Sequence, residues 1–248
     1  ITIYFLYLVF LFCMMMVMMM MLNIIIFFCL YGIWFAAYQT KFLLQNSKGT
    51  KRMREVASWI QQGSNGFFKT QYRSITLIAI LTSFIIFIGF CFRPLPQSKS
   101  HIKSLAFAII TTISFLTGCI CSCIAGYIGL WISINTNVRV ASAARFSSKK
   151  AIEIAMQGGM IAAIVVVTLV VSGITTLCTI LYISERSWRD DYEEGVIIGI
   201  DDIPSLLVGF GFGASFVALF AQLGGGIFTK ASDVGADLVG KIEASLPG

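Results

Sequence analysis

The residues of this chain that are best suited to chemistry lie close together near its end. Two lysines and two aspartates, Lys230, Asp233, Asp237 and Lys241, fall within 12 consecutive residues, and Glu243 follows. Elsewhere carboxylates are scarce, since the 248 residues include only 12 Asp and Glu in total. On a helix that turns by about 100° per residue, the first four side chains fall within an arc of about 80°. This charged stripe predicts a site for a divalent cation and an anion.

The preferences of the side chains indicate what the charged stripe could bind. Mg²⁺ is held by one or two carboxylates together with the phosphate oxygens of a substrate. Asp233 and Asp237 are therefore the predicted metal ligands, and Lys230 and Lys241 the predicted partners of a phosphate anion. A solvated helix end with ordinary Asp–Lys pairs is the other interpretation. Two aspartates four residues apart repel each other, however, and this like-charge pair favours the cation site.

The composition indicates which elements must position the stripe. The chain is 57% hydrophobic and only 12% charged, whereas a soluble domain has about 25% charged residues. Its apolar runs have the length of membrane-spanning helices and lack the alternation of barrel strands. We therefore predict an all-α, polytopic transmembrane helix bundle, in one integral membrane domain over residues 1–248. Its five spans are expected near residues 14–38, 74–92, 105–134, 154–183 and 203–229, and residues 230–248 form the active-site segment.

Small residues predict where these spans pack closely. The third span carries Gly118, Ser122 and Gly126 at four-residue spacing, and the fifth carries Gly209 and Gly213. Small side chains at this spacing let helix backbones approach each other in lipid. We expect the third and fifth spans to belong to a tightly packed bundle.

The distribution of basic residues predicts the orientation. Of the 18 Lys and Arg residues, 13 lie in the segments after the first, third and fifth spans, and five on the opposite side. Because basic residues concentrate in cytoplasmic segments, the charged stripe is expected in the cytosol and the N-terminus outside. The net charge of +6 therefore reports topology. It does not indicate nucleic-acid binding, since no basic stripe interleaved with aromatic residues is present.

The segment around the charged stripe resembles a known family. Residues 224–243 read GGGIFTKASDVGADLVGKIE, which closely resembles the signature of membrane-integral, ion-translocating inorganic pyrophosphatases, the vacuolar-type H⁺-pyrophosphatase family. Residues 126–139 and 47–53 resemble the family segments that follow its third and first spans. The likeness covers residues 40–243, and we expect the chain to be the N-terminal part of a longer family member and inactive alone.

The resemblance implies a function and a set of roles. The family hydrolyses Mg-pyrophosphate at a cytosolic site and moves H⁺ or Na⁺ across a vacuolar, acidocalcisomal or plasma membrane. It forms homodimers of subunits with about sixteen spans of bilayer-crossing length. By resemblance, Lys230 and Lys241 contact pyrophosphate, Asp233 and Asp237 bind Mg²⁺, and Asp237 is the catalytic residue that acts on the attacking water. Glu243 completes the motif in a less defined role, and K⁺ is a possible second cation.

One departure and two rival functions stay open. Many family members have Arg where this chain has Gln222, in a group associated with the ion gate, so a gating role for Gln222 does not carry over directly. A non-enzymatic secondary transporter or channel is the first rival. It would show midplane charges and broken helices, whereas the second to fourth spans are nearly free of charge. A structural membrane subunit with a solvated cluster is the second rival, and neither rival explains the long motif.

Overall fold

A computed structural model describes residues 2–92, 101–191 and 202–243. They form five helices: α1 (Thr2–Gln45), α2 (Lys51–Cys91), α3 (His101–Ala144), α4 (Ser148–Asp191) and α5 (Ile203–Glu243). Within the described residues there is no strand. The predicted all-α class is confirmed. Residues 244–248 of the predicted active-site segment lie outside the described residues.

Each helix is long and apolar enough to cross a membrane, so the predicted number of spans is also confirmed. The helices are longer than the predicted spans, at 41 to 44 residues. A helix of that length extends about 60 Å, roughly twice the thickness of the hydrocarbon core. The difference is largest in α2, because the polar residues from Lys51 onward are already helical.

The chain divides into two compact units. The first unit comprises Ile1–Thr50 and Tyr127–Ile203, and the second comprises Lys51–Gly126 and Pro204–Gly248. Helix α3 therefore contributes its second part to the first unit and its first part to the second unit. The prediction of a single domain is not decided by this division and stays a prediction.

The first unit is held together by an apolar core and a few polar contacts. Its buried side chains come from α1, α3 and α4: Ala36, Leu43, Ile132, Ile154 and Ile161. A side-chain bond from Gln157 Nε2 to Gln39 Oε1, 2.9 Å long, joins α4 to α1. Amide pairs of this kind are a usual way to link helices inside a membrane.

The second unit has the close helix packing that its glycines predict. A Cβ atom added to Gly118 would overlap the Phe210 carbonyl oxygen, and one added to Gly213 would overlap the Phe115 carbonyl oxygen. A Cβ on Gly209 would lie 2.7 Å from the Thr111 carbonyl oxygen. The predicted close approach of α3 and α5 is therefore confirmed at these three glycines.

Apolar side chains fill the rest of this second unit. The buried cluster consists of Ile75, Ala79, Phe115, Cys119 and Val217. The Phe115 ring is fully buried and lies 5.4 Å from the Phe212 ring and 5.9 Å from the Phe216 ring. These contacts fix the first part of α5, from which the charged stripe continues.

Candidate functional site

The charged stripe lies on the final turns of α5. This helix starts at Ile203 and runs without interruption through Lys230 to Glu243. Pro204 falls in the first turn, where its missing N–H costs no hydrogen bond. The next proline is Pro247, and the Ala, Leu and Lys residues between Thr229 and Glu243 favour helix. One continuous helix therefore connects the apolar span to the stripe.

The four residues of the stripe share one face of α5 and are all exposed. Lys230 Nζ lies 3.9 Å from Asp233 Oδ2, and these side chains are 85% and 70% exposed. Asp237 and Lys241 follow at helical spacing and are exposed as well. An exposed ion pair of this kind adds little to stability. The ion pair is therefore no evidence that the stripe stabilises the fold, and its binding role stays a prediction.

A divalent cation bound by the two aspartates of the stripe would need further oxygen atoms to complete its shell. Among the described residues, no group of three or more His, Cys, Asp or Glu side chains is placed to hold a metal ion. Two carboxylates with water and phosphate oxygens are, however, the usual way in which proteins bind Mg²⁺. The role of Asp233 and Asp237 as metal ligands stays a prediction.

Two further predicted residues lie on the same helix. Gln222 is exposed on α5, about two turns before Lys230. Glu243 is the last residue of α5. Their roles stay predictions.

The structure also shows a contact that the sequence did not reveal. Gln71 on α2 donates from Nε2 to the carbonyl oxygens of Phe220, at 2.8 Å, and Ala221, at 3.4 Å, on α5. Nearby, the Phe67 and Phe228 rings lie 5.2 Å apart. Helix α2 thus contacts α5 between about half a turn and three turns before the charged stripe. Gln71 is separated from its partners by about 150 residues, so no local pattern could have identified the pair.

The contact between Gln71 and α5 depends on the absence of a side chain at Gly224. A Cβ atom at Gly224 would overlap the Gln71 carboxamide, whereas one at Gly225 would meet no atom within 4 Å. We expect Gly224→Ala to displace Gln71 and to lower stability by about 0.5–1.5 kcal/mol for each hydrogen bond lost. Alanine also brings a gain of about 1 kcal/mol to a helix, so the expected result is a lower stability than that of a variant with the same gain and no lost hydrogen bond. The measurement is the thermal unfolding of the detergent-solubilised protein produced from the complete gene.

The matched control is Gly225→Ala, which brings the same gain in helix propensity into open space. It should leave the protein as stable as the parent or more stable. Equal melting temperatures for Gly224→Ala and Gly225→Ala would show that Gln71 does not constrain α5.

Comparison with known proteins identifies the family. The sequence model of the family described as inorganic H⁺ pyrophosphatase matches residues 30–248, which include the charged stripe. The chain belongs to this family. The prediction made from the motif is confirmed.

Several pyrophosphate-driven pumps are similar to this pyrophosphatase-family chain. It is 45% identical over 221 residues to pyrophosphate-energized membrane proton pump 3 of Arabidopsis thaliana, covering 88% of the chain and 27% of that protein. It is 42% identical over 207 residues to the K⁺-insensitive pyrophosphate-energized proton pump of Caldanaerobacter subterraneus subsp. tengcongensis, covering 84% of the chain and 28% of that protein. A pump of the same name from Methanosarcina mazei is 41% identical over 218 residues, with 88% and 27% covered. The chain thus spans about a quarter of the length of these relatives.

Proposed function

We propose that the protein containing this chain hydrolyses inorganic pyrophosphate and couples the reaction to H⁺ translocation across a membrane. The observation that carries the proposal is a family match that includes an exposed stripe of two aspartates and two lysines at the end of a membrane-spanning helix. The relatives are named as pyrophosphate-energized proton pumps. Na⁺ transport, which the resemblance also allowed, has no support from these names.

The stripe supplies groups of both signs for a metal–phosphate substrate. Lys230 and Lys241 would bind the phosphate oxygens from either end of the stripe, and Asp233 and Asp237 would hold Mg²⁺. The bound cation would neutralise charge on the phosphate oxygens. Lys230 would exchange its exposed partner Asp233, 3.9 Å away, for the anion at little cost.

Asp237 would act on the water that attacks phosphorus. Its carboxylate orients the water and accepts a proton as the new P–O bond forms and the bridging P–O bond breaks, which yields two orthophosphate ions. The two lysines stabilise the charge on the phosphate that leaves. Asp237 is suited to this role because its side chain is exposed between the two lysines.

Coupling to ion movement would pass along α5. The helix is continuous from Ile203 to Glu243, so a displacement at the stripe during hydrolysis also moves the apolar part of the helix. Gln222 lies between the two parts, and no gating role is assigned to it. The count of basic residues supports a cytosolic position for the stripe. The homodimer and the identity of the membrane rest on the resemblance alone.

The experiment uses inside-out vesicles from cells that express the complete gene. Addition of Mg-pyrophosphate should release orthophosphate and acidify the vesicle interior, and a protonophore should abolish the acidification but not the hydrolysis. A secondary transporter would release no phosphate, and a structural subunit would show neither signal. Replacing K⁺ by choline should leave turnover unchanged, because related pumps are named K⁺-insensitive. Loss of turnover without K⁺ would overturn that part of the proposal.

A further inference from the structure

The first compact unit contains a cavity of about 440 Å³. Its walls come from the connection between α1 and α2, the end of α3 and the first turns of α4. The residues of the charged stripe do not line it. The lining includes Ser47, Gly49, Ser142 and three basic side chains, Arg139, Arg145 and Lys150.

Arg139 is the most unusual of these residues. It is only 2% exposed and is the largest fully buried side chain of the described residues. Its guanidinium donates to two carbonyl oxygens, those of Asn135 on its own helix and of Leu44, 3.1 Å away, in the last turn of α1. The third nitrogen, Nε, is buried without a hydrogen-bond partner. Through the Leu44 contact, Arg139 supplies a donor for a carbonyl group in the last turn of α1. Carbonyl oxygens do not, however, neutralise the positive charge of the guanidinium.

Among the described residues, the lining of the cavity provides no carboxylate to compensate for Arg139. A buried charge without a partner is strongly unfavourable, so buried arginines normally contact a carboxylate or another anion. Arg145 and Lys150 add two more positive charges along the same wall.

The start of α4 adds to the positive potential. An N-terminus of a helix carries a partial positive charge and favours acidic side chains or bound anions. The first turn of α4 contains no acidic residue and instead carries Lys149 and Lys150. Glu153 is exposed further along α4 and does not line the cavity. Ser147 Oγ already accepts from the Lys150 N–H at 3.4 Å, so an anion in the cavity would mainly neutralise the buried guanidinium.

The connection between α1 and α2 makes a turn at Gly49, which lines the cavity. Gly49 has a positive φ of 78°, a backbone conformation that residues other than glycine rarely adopt. Its N–H donates to Ser47 Oγ at 3.1 Å.

We propose that this cavity binds a phosphate group. A tetrahedral oxyanion suits the combination of a guanidinium, an ammonium group, hydroxyl groups and a helix N-terminus. Two sources share this chemistry, free orthophosphate and the headgroup phosphate of an anionic lipid. The count of basic residues places the connections that form the cavity on the cytoplasmic side, where both are available.

The test measures phosphate binding by the full protein purified in a neutral detergent. Because orthophosphate should also bind the charged stripe, every variant is made in a Lys230→Gln background. Binding is followed by calorimetry with orthophosphate, and by native mass spectrometry after reconstitution in phosphatidylcholine with or without phosphatidylglycerol. Lys150→Gln is the main variant because Lys150 is exposed, so its loss does not endanger folding. Lys149→Gln is the matched control, since Lys149 is adjacent, exposed and absent from the lining.

Lys150→Gln should weaken binding by about tenfold or more, the effect expected for one charge-assisted hydrogen bond, and Lys149→Gln should bind like the parent. Saturable binding of orthophosphate in detergent, reduced in this way, identifies the free anion as the ligand. Bound phosphatidylglycerol that is lost only in Lys150→Gln identifies the lipid. Equal binding by Lys150→Gln and Lys149→Gln, or no saturable binding of either probe, would overturn the proposal. None of these results depends on hydrolysis, so the proposed function is tested separately.

Discussion

Asp237→Asn should abolish pyrophosphate hydrolysis by the protein expressed from its complete gene. The substitution keeps the size of the side chain but removes the negative charge that would hold Mg²⁺ and the basic oxygen that would accept a proton from water. Loss of a general base alone lowers rates by about 100-fold to 10,000-fold. We expect a decrease of at least about 100-fold in orthophosphate release at saturating Mg-pyrophosphate. Acidification of vesicles should fall in parallel, because transport depends on the reaction.

Two further variants show whether the loss of hydrolysis is specific to Asp237. Glu153→Gln removes one exposed carboxylate from α4 and should leave turnover unchanged, since Glu153 is not among the residues predicted to bind the metal or pyrophosphate. Asp233→Asn should raise the Mg²⁺ concentration needed for half-maximal rate and leave more residual turnover than Asp237→Asn. Folding should be unaffected in all three variants because each side chain is exposed. Normal hydrolysis by Asp237→Asn would remove this residue from the site.

The features that depend on periodicity could be predicted from the sequence. Five apolar runs of sufficient length gave five helices, because a bilayer allows little else to span it. The stripe from Lys230 to Lys241 could be predicted because side chains three and four residues apart lie on the same face of any helix. Close packing at Gly118 and Gly213 followed from the same spacing. These features depend on the spacing of residues along a single helix, so they can be predicted without knowledge of the tertiary structure.

Features that depend on partners distant in sequence could not be predicted. Gln71 lies in a polar segment and gave no local sign that it would bind carbonyl oxygens on α5. Arg139 was counted among the basic residues that set the topology, yet it is buried and binds the end of α1. In both cases the side chain reaches a backbone oxygen, and any residue type can supply such an acceptor. The sequence therefore shows the donor but carries no information about the acceptor.

The hydropathy pattern also did not predict the full length of the helices. The polar residues at the start of α2 do not favour a membrane, and hydropathy therefore excluded them from the second span. They are nevertheless helical from Lys51, because helix formation outside the bilayer depends on propensity and packing instead of hydrophobicity. The same principle explains why α5 continues past its apolar span and presents the charged stripe on a helix.

Gly213→Ala should cause the largest loss of stability among the glycine substitutions of α5. The added Cβ would overlap the Phe115 carbonyl oxygen and would lie 2.9 Å from the Phe115 carbonyl carbon and 3.1 Å from the Cys119 nitrogen. All three are backbone atoms of α3, which cannot rotate away as a side chain can. The two helices must therefore separate, and the hydrogen bond from Cys119 Sγ to the Gly213 carbonyl oxygen, 3.4 Å long, would be lost.

Overpacking of a well-packed core costs about 1–3 kcal/mol, and here the loosened contacts include the fully buried Phe115. We expect the free energy of unfolding, measured by equilibrium unfolding in mixed micelles, to fall by that amount. Gly211→Ala, two residues away on α5, is the matched control because its Cβ would meet no atom within 4 Å. That variant should be as stable as the parent or slightly more stable, since alanine favours helix. If both variants unfolded alike, the close approach of α3 and α5 would not be a determinant of stability.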